Sequence, residues 1–167
     1  MLRNIALIGL ISISLSSCLK GSTAGDMCNY DPCAIKASAN EEQAVETYLE
    51  NNNIDAQKHC SGMYYVIEAP GTGKTAGVCD RITINYNGSL TNGQVFDKSN
   101  NPVTFELNGL ILGWKNGIPL IKEGGRIRLF IPPTLGYGNR DVRDRDGNIA
   151  IPGGSILIFD VELKQVQ

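Results

Sequence analysis

The sequence predicts an α+β fold in which a bent antiparallel β-sheet of five to six strands wraps on one short α-helix. Several segments alternate apolar and polar residues with a period of two, which is typical of strands with one buried face. Between two of them, only residues 111–121 are suited to a helix, which must cover the apolar face of the sheet. The predicted strands are residues 63–67, 81–87, 95–96, 103–107, 127–131 and 157–163.

A second helix is predicted over residues 40–51, as an extension that precedes the sheet. Asn40 can cap it, with Gln43 three residues later in the manner of a capping box. Val45 and Leu49 fall on one helical face, so we expect this helix to pack on the main domain. A role in dimerisation is the alternative.

The composition is that of an ordinary globular protein, with 42% hydrophobic and 19% charged residues among 167. The formal net charge is −2. The chain therefore has no excess of basic residues that would indicate nucleic acid as a partner.

Residues 1–17 have the pattern of a secretory signal peptide: Arg3, an apolar run over residues 5–15, and small residues before Cys18. The apolar run is shorter than the ~20 residues needed to cross a bilayer. Residues 15–18, Leu-Ser-Ser-Cys, resemble a bacterial lipobox, which implies a lipid on Cys18. The expected product is a membrane-anchored lipoprotein of the periplasm or cell envelope, with residues 18–39 as lipidated N-terminus and spacer. A soluble secreted protein that has lost Cys18 is the alternative.

Four further cysteines, Cys28, Cys33, Cys60 and Cys79, form an even set, which in an exported chain suggests disulfides. Of the three possible pairings we favour Cys28–Cys33 and Cys60–Cys79, because the first closes a tight loop through Pro32. Free thiols are the alternative. The cysteines include no CxxC pair, so we expect no metal site, and nothing in the sequence calls for a cofactor.

Six stretches then occur in an order that resembles the FKBP family of peptidyl-prolyl cis-trans isomerases over residues 63–167, with residues 40–62 as a helical extension. Each stretch is weak by itself, but the six together are specific. They are residues 84–88, 93–99, 105–114, 135–138, 151–152 and 157–163.

The resemblance implies a shallow apolar pocket that accepts a proline ring. Trp114 would form its floor, Tyr137 would offer its hydroxyl to a substrate carbonyl, and Asp97 would lie at the rim. The remaining implied site residues are the walls Tyr86, Phe96 and Phe159 and the substrate-binding residues Val103, Phe105, Leu110, Ile111 and Ile151.

Three features depart from the family pattern. Val103 stands where many members have an aromatic residue, which predicts a lower wall, and Leu135 stands where some have a second aromatic residue. The loop of residues 139–150 is densely charged, and we interpret it as solvated and self-paired. These departures leave open the affinity for the family's macrolide ligands and the preference for the residue before proline.

The function implied by the resemblance is isomerisation of X-Pro bonds in exported proteins, with proline-containing polypeptide segments as partners. A non-catalytic chaperone or peptide-binding module using the same pocket is the first alternative. A structural surface protein that reuses the fold is the second, since fold does not imply function.

Overall fold

The computed structural model describes residues 28–167, so the predicted signal peptide and Cys18 lie outside the described residues. No helix within residues 28–167 combines the length and apolar character needed to span a bilayer.

Two α-helices and nine strands make up this part of the chain. The helices are α1 (Ala39–Asn51) and α2 (Leu112–Gly117). The strands are β1 (Gln57–Lys58), β2 (Tyr64–Ala69), β3 (Arg81–Leu90), β4 (Val95–Lys98), β5 (Val103–Glu106), β6 (Arg126–Ile131), β7 (Val142–Arg143), β8 (Ile149–Ile151) and β9 (Leu157–Val166).

Seven strands form one antiparallel sheet in the order β1-β2-β6-β9-β3-β4, and β5 also pairs with β3. Strand β4 pairs with residues 87–89 of β3, and β5 pairs with residues 81–84. The edge is therefore split into two short strands, as predicted, and β1 is the strand that raises the number in this sheet above the predicted five to six. The predicted α+β class, an antiparallel sheet with one short helix, is confirmed.

The main core lies between α2 and one face of the sheet. The alternation predicted for β3 is confirmed, because Ile82 and Ile84 are fully buried. Helix α2 comes very close to β6: a Cβ on Gly113 would lie 2.4 Å from Cδ1 of Ile131. Only glycine permits this approach, which brings the helix directly onto the sheet.

Helix α1 packs on the main domain, as expected, and it covers the opposite face of the sheet. Val45 and Leu49 are buried there in a second apolar cluster with Phe130 of β6 and Ile158 of β9. Burial of each such aliphatic side chain contributes about 1.5–3 kcal/mol. Both faces of β6 and β9 are thus covered where α1 lies.

The predicted cap of α1 is wrong, since Ser38 and not Asn40 precedes the helix. The backbone N–H of Glu41 donates to Oγ of Ser38 at 3.3 Å, and the N–H of Ser38 donates to Oε2 of Glu41 at 2.9 Å. Ser38 and Glu41 form the capping box because the serine hydroxyl accepts one N–H and the glutamate carboxylate three residues later accepts the other. Glu41 also accepts from the N–H of Thr134 at 3.0 Å, which ties α1 to the turn Pro133–Leu135.

The central helix is shorter than predicted. Helix α2 ends at Gly117 and is followed by a 3₁₀ turn, Ile118–Leu120. Pro119 has no N–H to donate to a preceding carbonyl, so it cannot extend the α-helical hydrogen bonding.

The favoured disulfide pairing is also wrong. The bonds join Cys28 to Cys79 and Cys33 to Cys60, with Cα–Cα distances of 5.6 and 5.5 Å. The favoured pairing relied on sequence proximity. The N-terminal segment instead runs across the domain, so each of its cysteines meets a different loop.

Residues 28–38 are fixed further by a contact with α2. The hydroxyl of Tyr30 donates to Oδ1 of Asn116 at 2.5 Å, and Asn116 is only 3% exposed. The side-chain amine of Lys115 lies 5.5 Å from the centre of the Tyr30 ring. This part of the expected spacer is therefore attached to the helix that carries Trp114.

We predict that the Cys28→Ser/Cys79→Ser double variant loses about 2–4 kcal/mol of unfolding free energy, because a disulfide that closes a long loop restricts the unfolded chain. The separation along the chain is 51 residues. Urea denaturation measures the loss, and reduced wild-type protein should be less stable than either bond variant.

The pairing itself can be checked by non-reducing peptide mapping with cleavage before aspartates and after lysines, because Asp31, Lys58 and Lys74 then separate all four cysteines. Peptide pairs linked through Cys28–Cys79 and Cys33–Cys60 are expected. A peptide pair linked through Cys28–Cys33 would contradict the structure.

Candidate active site

A cavity of about 600 Å³ opens beside α2 at one end of the sheet. Its lining is mainly aromatic and aliphatic, with a few polar groups at the rim. The aromatic members are Tyr86, Phe96, Phe105, Trp114, Tyr137 and Phe159, and the aliphatic members include Leu110, Ile111, Val142, Ala150 and Ile151.

The sheet register brings the walls together. Gly88 of β3 pairs with Asp97 of β4 on one side and with Phe159 of β9 on the other. A Cβ on Gly88 would lie 2.7 Å from Cε1 of Phe159 and 2.8 Å from Cε2 of Phe96. The missing side chain therefore leaves room for both rings, whose centres are 5.5 Å apart in an edge-to-face arrangement.

Trp114 lies at the bottom of the cavity, near the start of α2. Its ring makes edge contacts with Tyr86 and Phe159, at centroid distances of 5.3 and 5.0 Å. Phe105 is a third neighbour, at 6.3 Å. Such pairs add about 0.5–1.5 kcal/mol each beyond area burial, so the indole is held in one orientation.

The indole N–H of Trp114 is buried and has no hydrogen-bond partner among the described residues. An unsatisfied buried donor costs about 1–3 kcal/mol, which argues that Trp114 is present for the shape and apolar area of its ring. The indole ring thus serves as the flat apolar floor of the cavity.

Tyr86 and Asp97 form the main polar contact of the cavity. The Tyr86 hydroxyl donates to Oδ2 of Asp97 at 2.7 Å. Burial raises the pKa of Tyr86 to about 12, and the hydrogen bond to Asp97 adds to the shift. The phenol stays protonated at neutral pH, and the carboxylate at the rim has a fixed partner.

Tyr137 follows the turn Pro133–Leu135 and is 44% exposed at the mouth of the cavity. Burial of part of the ring, and then the charge of Asp97, raise the pKa of Tyr137. Its hydroxyl makes no hydrogen bond within the described part of the chain. Tyr137 therefore presents a neutral, unoccupied donor to the cavity.

The structure brings together every site residue predicted from the sequence except Val103. Val103 pairs with Ile84 at the start of β5 and lies outside the cavity lining. The aromatic residue of this strand that lines the cavity is Phe105. Leu135 is fully buried in the main core and does not reach the cavity.

The residues that the sequence reasoning missed belong to the charged loop. It contains the hairpin of β7 and β8, and Arg143, Asp144 and Arg145 line the cavity. The pair Asp146-Gly147, with Gly147 at a φ of +86°, is a recognised turn signal between strands and could have revealed the hairpin.

The lining residues offer apolar surface and hydrogen bonding. His59 lies outside the cavity lining and is half-buried beside Ser61, with Nδ1 2.8 Å from Oγ. None of the residues that line the cavity is a cysteine, serine or histidine. The arrangement suits the binding of an apolar ring beside a hydrogen-bond acceptor.

Residues 73–164 match the family model of the FKBP-type peptidyl-prolyl cis-trans isomerases. The chain is 41% identical over 126 residues to the FKBP-type peptidyl-prolyl cis-trans isomerase FkpA of Buchnera aphidicola, an alignment that covers 72% of this chain and 50% of that one. The chain thus spans about half the length of the curated relatives it matches.

Solved structures agree with this match. The crystal structure of FkpA from Escherichia coli superposes with a TM-score of 0.66 at 36% identity, covering 77% of this chain and 60% of that one. The crystal structure of AtFKBP13 superposes with a TM-score of 0.62 at 34% identity, covering 68% of this chain and 99% of that one. The chain therefore belongs to the FKBP-type peptidyl-prolyl cis-trans isomerase family.

Proposed function

We propose that this chain is a peptidyl-prolyl cis-trans isomerase that accelerates X-Pro isomerisation in exported proteins. The observation that carries the proposal is the cavity over Trp114, where an apolar floor lies beside the unoccupied hydroxyl of Tyr137. Family membership supports the same activity.

The chemistry matches the residues available. Rotation about an X-Pro amide has a barrier of about 18–20 kcal/mol, set by amide resonance. No bond to another atom breaks, so neither a nucleophile nor an acid–base pair is needed. A site that binds the twisted amide better than either planar form lowers the barrier.

Each sequence-predicted residue that lines the cavity has a proposed role. Trp114 supports the proline ring, and Tyr86, Phe96 and Phe159 enclose it. Tyr137 donates its hydroxyl to a substrate carbonyl, and Asp97 fixes the phenol of Tyr86. The aliphatic side chains and Phe105 exclude water, which strengthens these polar contacts. These contributing residues are Phe105, Leu110, Ile111 and Ile151.

We assign the isomerase domain to residues 63–167 and a helical extension to residues 40–62. Two observations support this division: the family match begins at residue 73, and α1 packs on the outer face of the sheet. Macrolide ligands of the family are a further proposed partner, since the cavity of about 600 Å³ keeps its aromatic wall at Phe105.

We predict that Tyr137→Phe lowers kcat/KM about two- to tenfold, because one neutral hydrogen bond contributes about 0.5–1.5 kcal/mol. Phe96→Ala should lower it at least about tenfold, since an enclosing ring is lost. A cis-to-trans assay on short X-Pro peptides measures both values.

Tyr65→Phe is the matched control, because the Tyr65 hydroxyl donates to Gln57 at 3.1 Å, away from the cavity. It should retain full activity. If Tyr137→Phe and Phe96→Ala fold normally and keep wild-type activity, the proposed site is wrong. If the wild-type protein binds proline peptides without turnover, the non-catalytic binding module replaces the isomerase.

We also propose that Cys18 carries a lipid that anchors the domain to a membrane. The support is the order of Arg3, the apolar run and the small residues before Cys18. The two disulfides are consistent with an oxidising, extracytoplasmic compartment. More than one acyl chain gives stable anchoring, at about 0.8 kcal/mol per buried CH₂.

Cys18→Ser should move the protein from the membrane fraction to the soluble fraction of an expressing bacterium, because no lipid can be attached. Mass spectrometry of the wild-type protein should find acyl chains on Cys18. Cys33→Ser, which removes a cysteine of the folded part, should leave the fractionation unchanged. An unmodified Cys18 in the mature wild-type protein would exclude the anchor.

A further inference from the structure

The hairpin of β7 and β8 carries two arginines to the cavity. Val142 pairs with Ile151 at the base of the hairpin, and both line the apolar wall. The next residues, Arg143, Asp144 and Arg145, line the cavity as well. The hairpin is therefore attached to the wall at its base and places charged groups above it.

The charges on this hairpin differ in how they are engaged. The carboxylate of Asp144 accepts from the N–H groups of Asp146 and Asn148, each at 2.9 Å. The backbone hydrogen bond from Asn148, with those from the other turn residues, lowers the pKa of Asp144. The carboxylate of Asp144 is thus already hydrogen-bonded within the turn.

Both arginines have guanidinium N–H donors that no described residue accepts. Nη1 of Arg143 donates to the carbonyl of Gly147 at 2.8 Å, and Nη2 lies 4.0 Å from Oδ2 of Asp141. Arg145 makes no ion pair or hydrogen bond with any residue that the structure describes. Its guanidinium keeps all five N–H donors for a ligand.

Asp97 on β4 also lines the cavity and carries the reverse charge, with its carboxylate held by Tyr86. Since the hairpin and Trp114 line the same cavity, a side chain next to a proline bound over Trp114 can reach the hairpin. A planar guanidinium is well suited to pair with a carboxylate there.

We propose that Arg145, with Arg143 beside it, makes this cavity prefer segments with aspartate or glutamate next to the proline. Lysine or arginine at the same place is disfavoured by like charge. The inference rests on the proposed isomerase function and names its substrate class. Because the arginines are exposed, the expected preference for glutamate over alanine is about two- to fivefold and decreases with salt.

The test is kcat/KM for X-Pro peptides with Ala, Leu, Glu or Lys before the proline, and for a second set with these residues after it. At about 20 mM salt, glutamate peptides should be favoured over lysine peptides in at least one set, and about 0.5 M salt should reduce the ratio. Arg145→Ala should reduce the ratio, and Arg145→Glu should reverse it. Activity on leucine and alanine peptides should change less than activity on glutamate and lysine peptides in either variant.

Arg140→Ala is the matched control, since Arg140 is exposed in the same loop but does not line the cavity. A glutamate-to-lysine ratio near one in wild-type protein, or one that Arg140→Ala changes as much as Arg145→Ala, overturns the inference.

Failure of this inference can be separated from failure of the proposed function. If no peptide is isomerised, the isomerase proposal fails, and binding still tests the charge preference. Trp114 is the single tryptophan of the chain, so its fluorescence can follow titration with Glu-Pro and Lys-Pro peptides. Tighter binding of Glu-Pro that Arg145→Ala abolishes supports the inference, and equal affinities overturn it.

Discussion

The contact between α2 and the inner face of the sheet fixes the geometry of the whole cavity. Gly113 lets the helix approach Ile131, and the indole one residue later then lies between Tyr86 and Phe159. A bulkier residue at Gly113 would have to displace Ile131 or lift the helix. Either change would move the floor of the cavity relative to its walls.

Contacts from outside the cavity support this arrangement. Two disulfides join the N-terminal segment, residues 28–38, to the rest of the domain. Tyr30 of this segment also donates a hydrogen bond to Asn116 of α2. Helix α1 packs on the outer face of the sheet, and Glu41 holds the turn that leads to Tyr137. The extension is thus part of the structure that positions the site, although it lies before the residues that match the family.

Much of this could be predicted from the sequence, because alternation and local motifs are local properties. The strands around Ile84 and Leu129 follow from a period of two, and the floor and walls follow from six short stretches in order. Phe130 and Ile158 interrupt that alternation with apolar residues on the second face. They were the available signal that a helix covers it.

The rest depends on contacts between distant parts of the chain. Val103 and Phe105 lie on the same face of β5, and which of them reaches the cavity depends on where the cavity lies along the strand, which no local pattern gives. The disulfide partners depend on the path of residues 28–38 over α2. The arginines of the hairpin reach the cavity only because Val142 pairs with Ile151.

The central claim is that the cavity acts by shape and hydrogen bonding, without transfer of a proton. The phenols of Tyr86 and Tyr137 have raised pKa values, so both remain protonated donors well above neutral pH. The most direct test is kcat/KM for one uncharged X-Pro peptide between about pH 6 and about pH 9 at constant ionic strength. A flat profile is predicted, and a bell-shaped profile with a titration inside that range would contradict the claim.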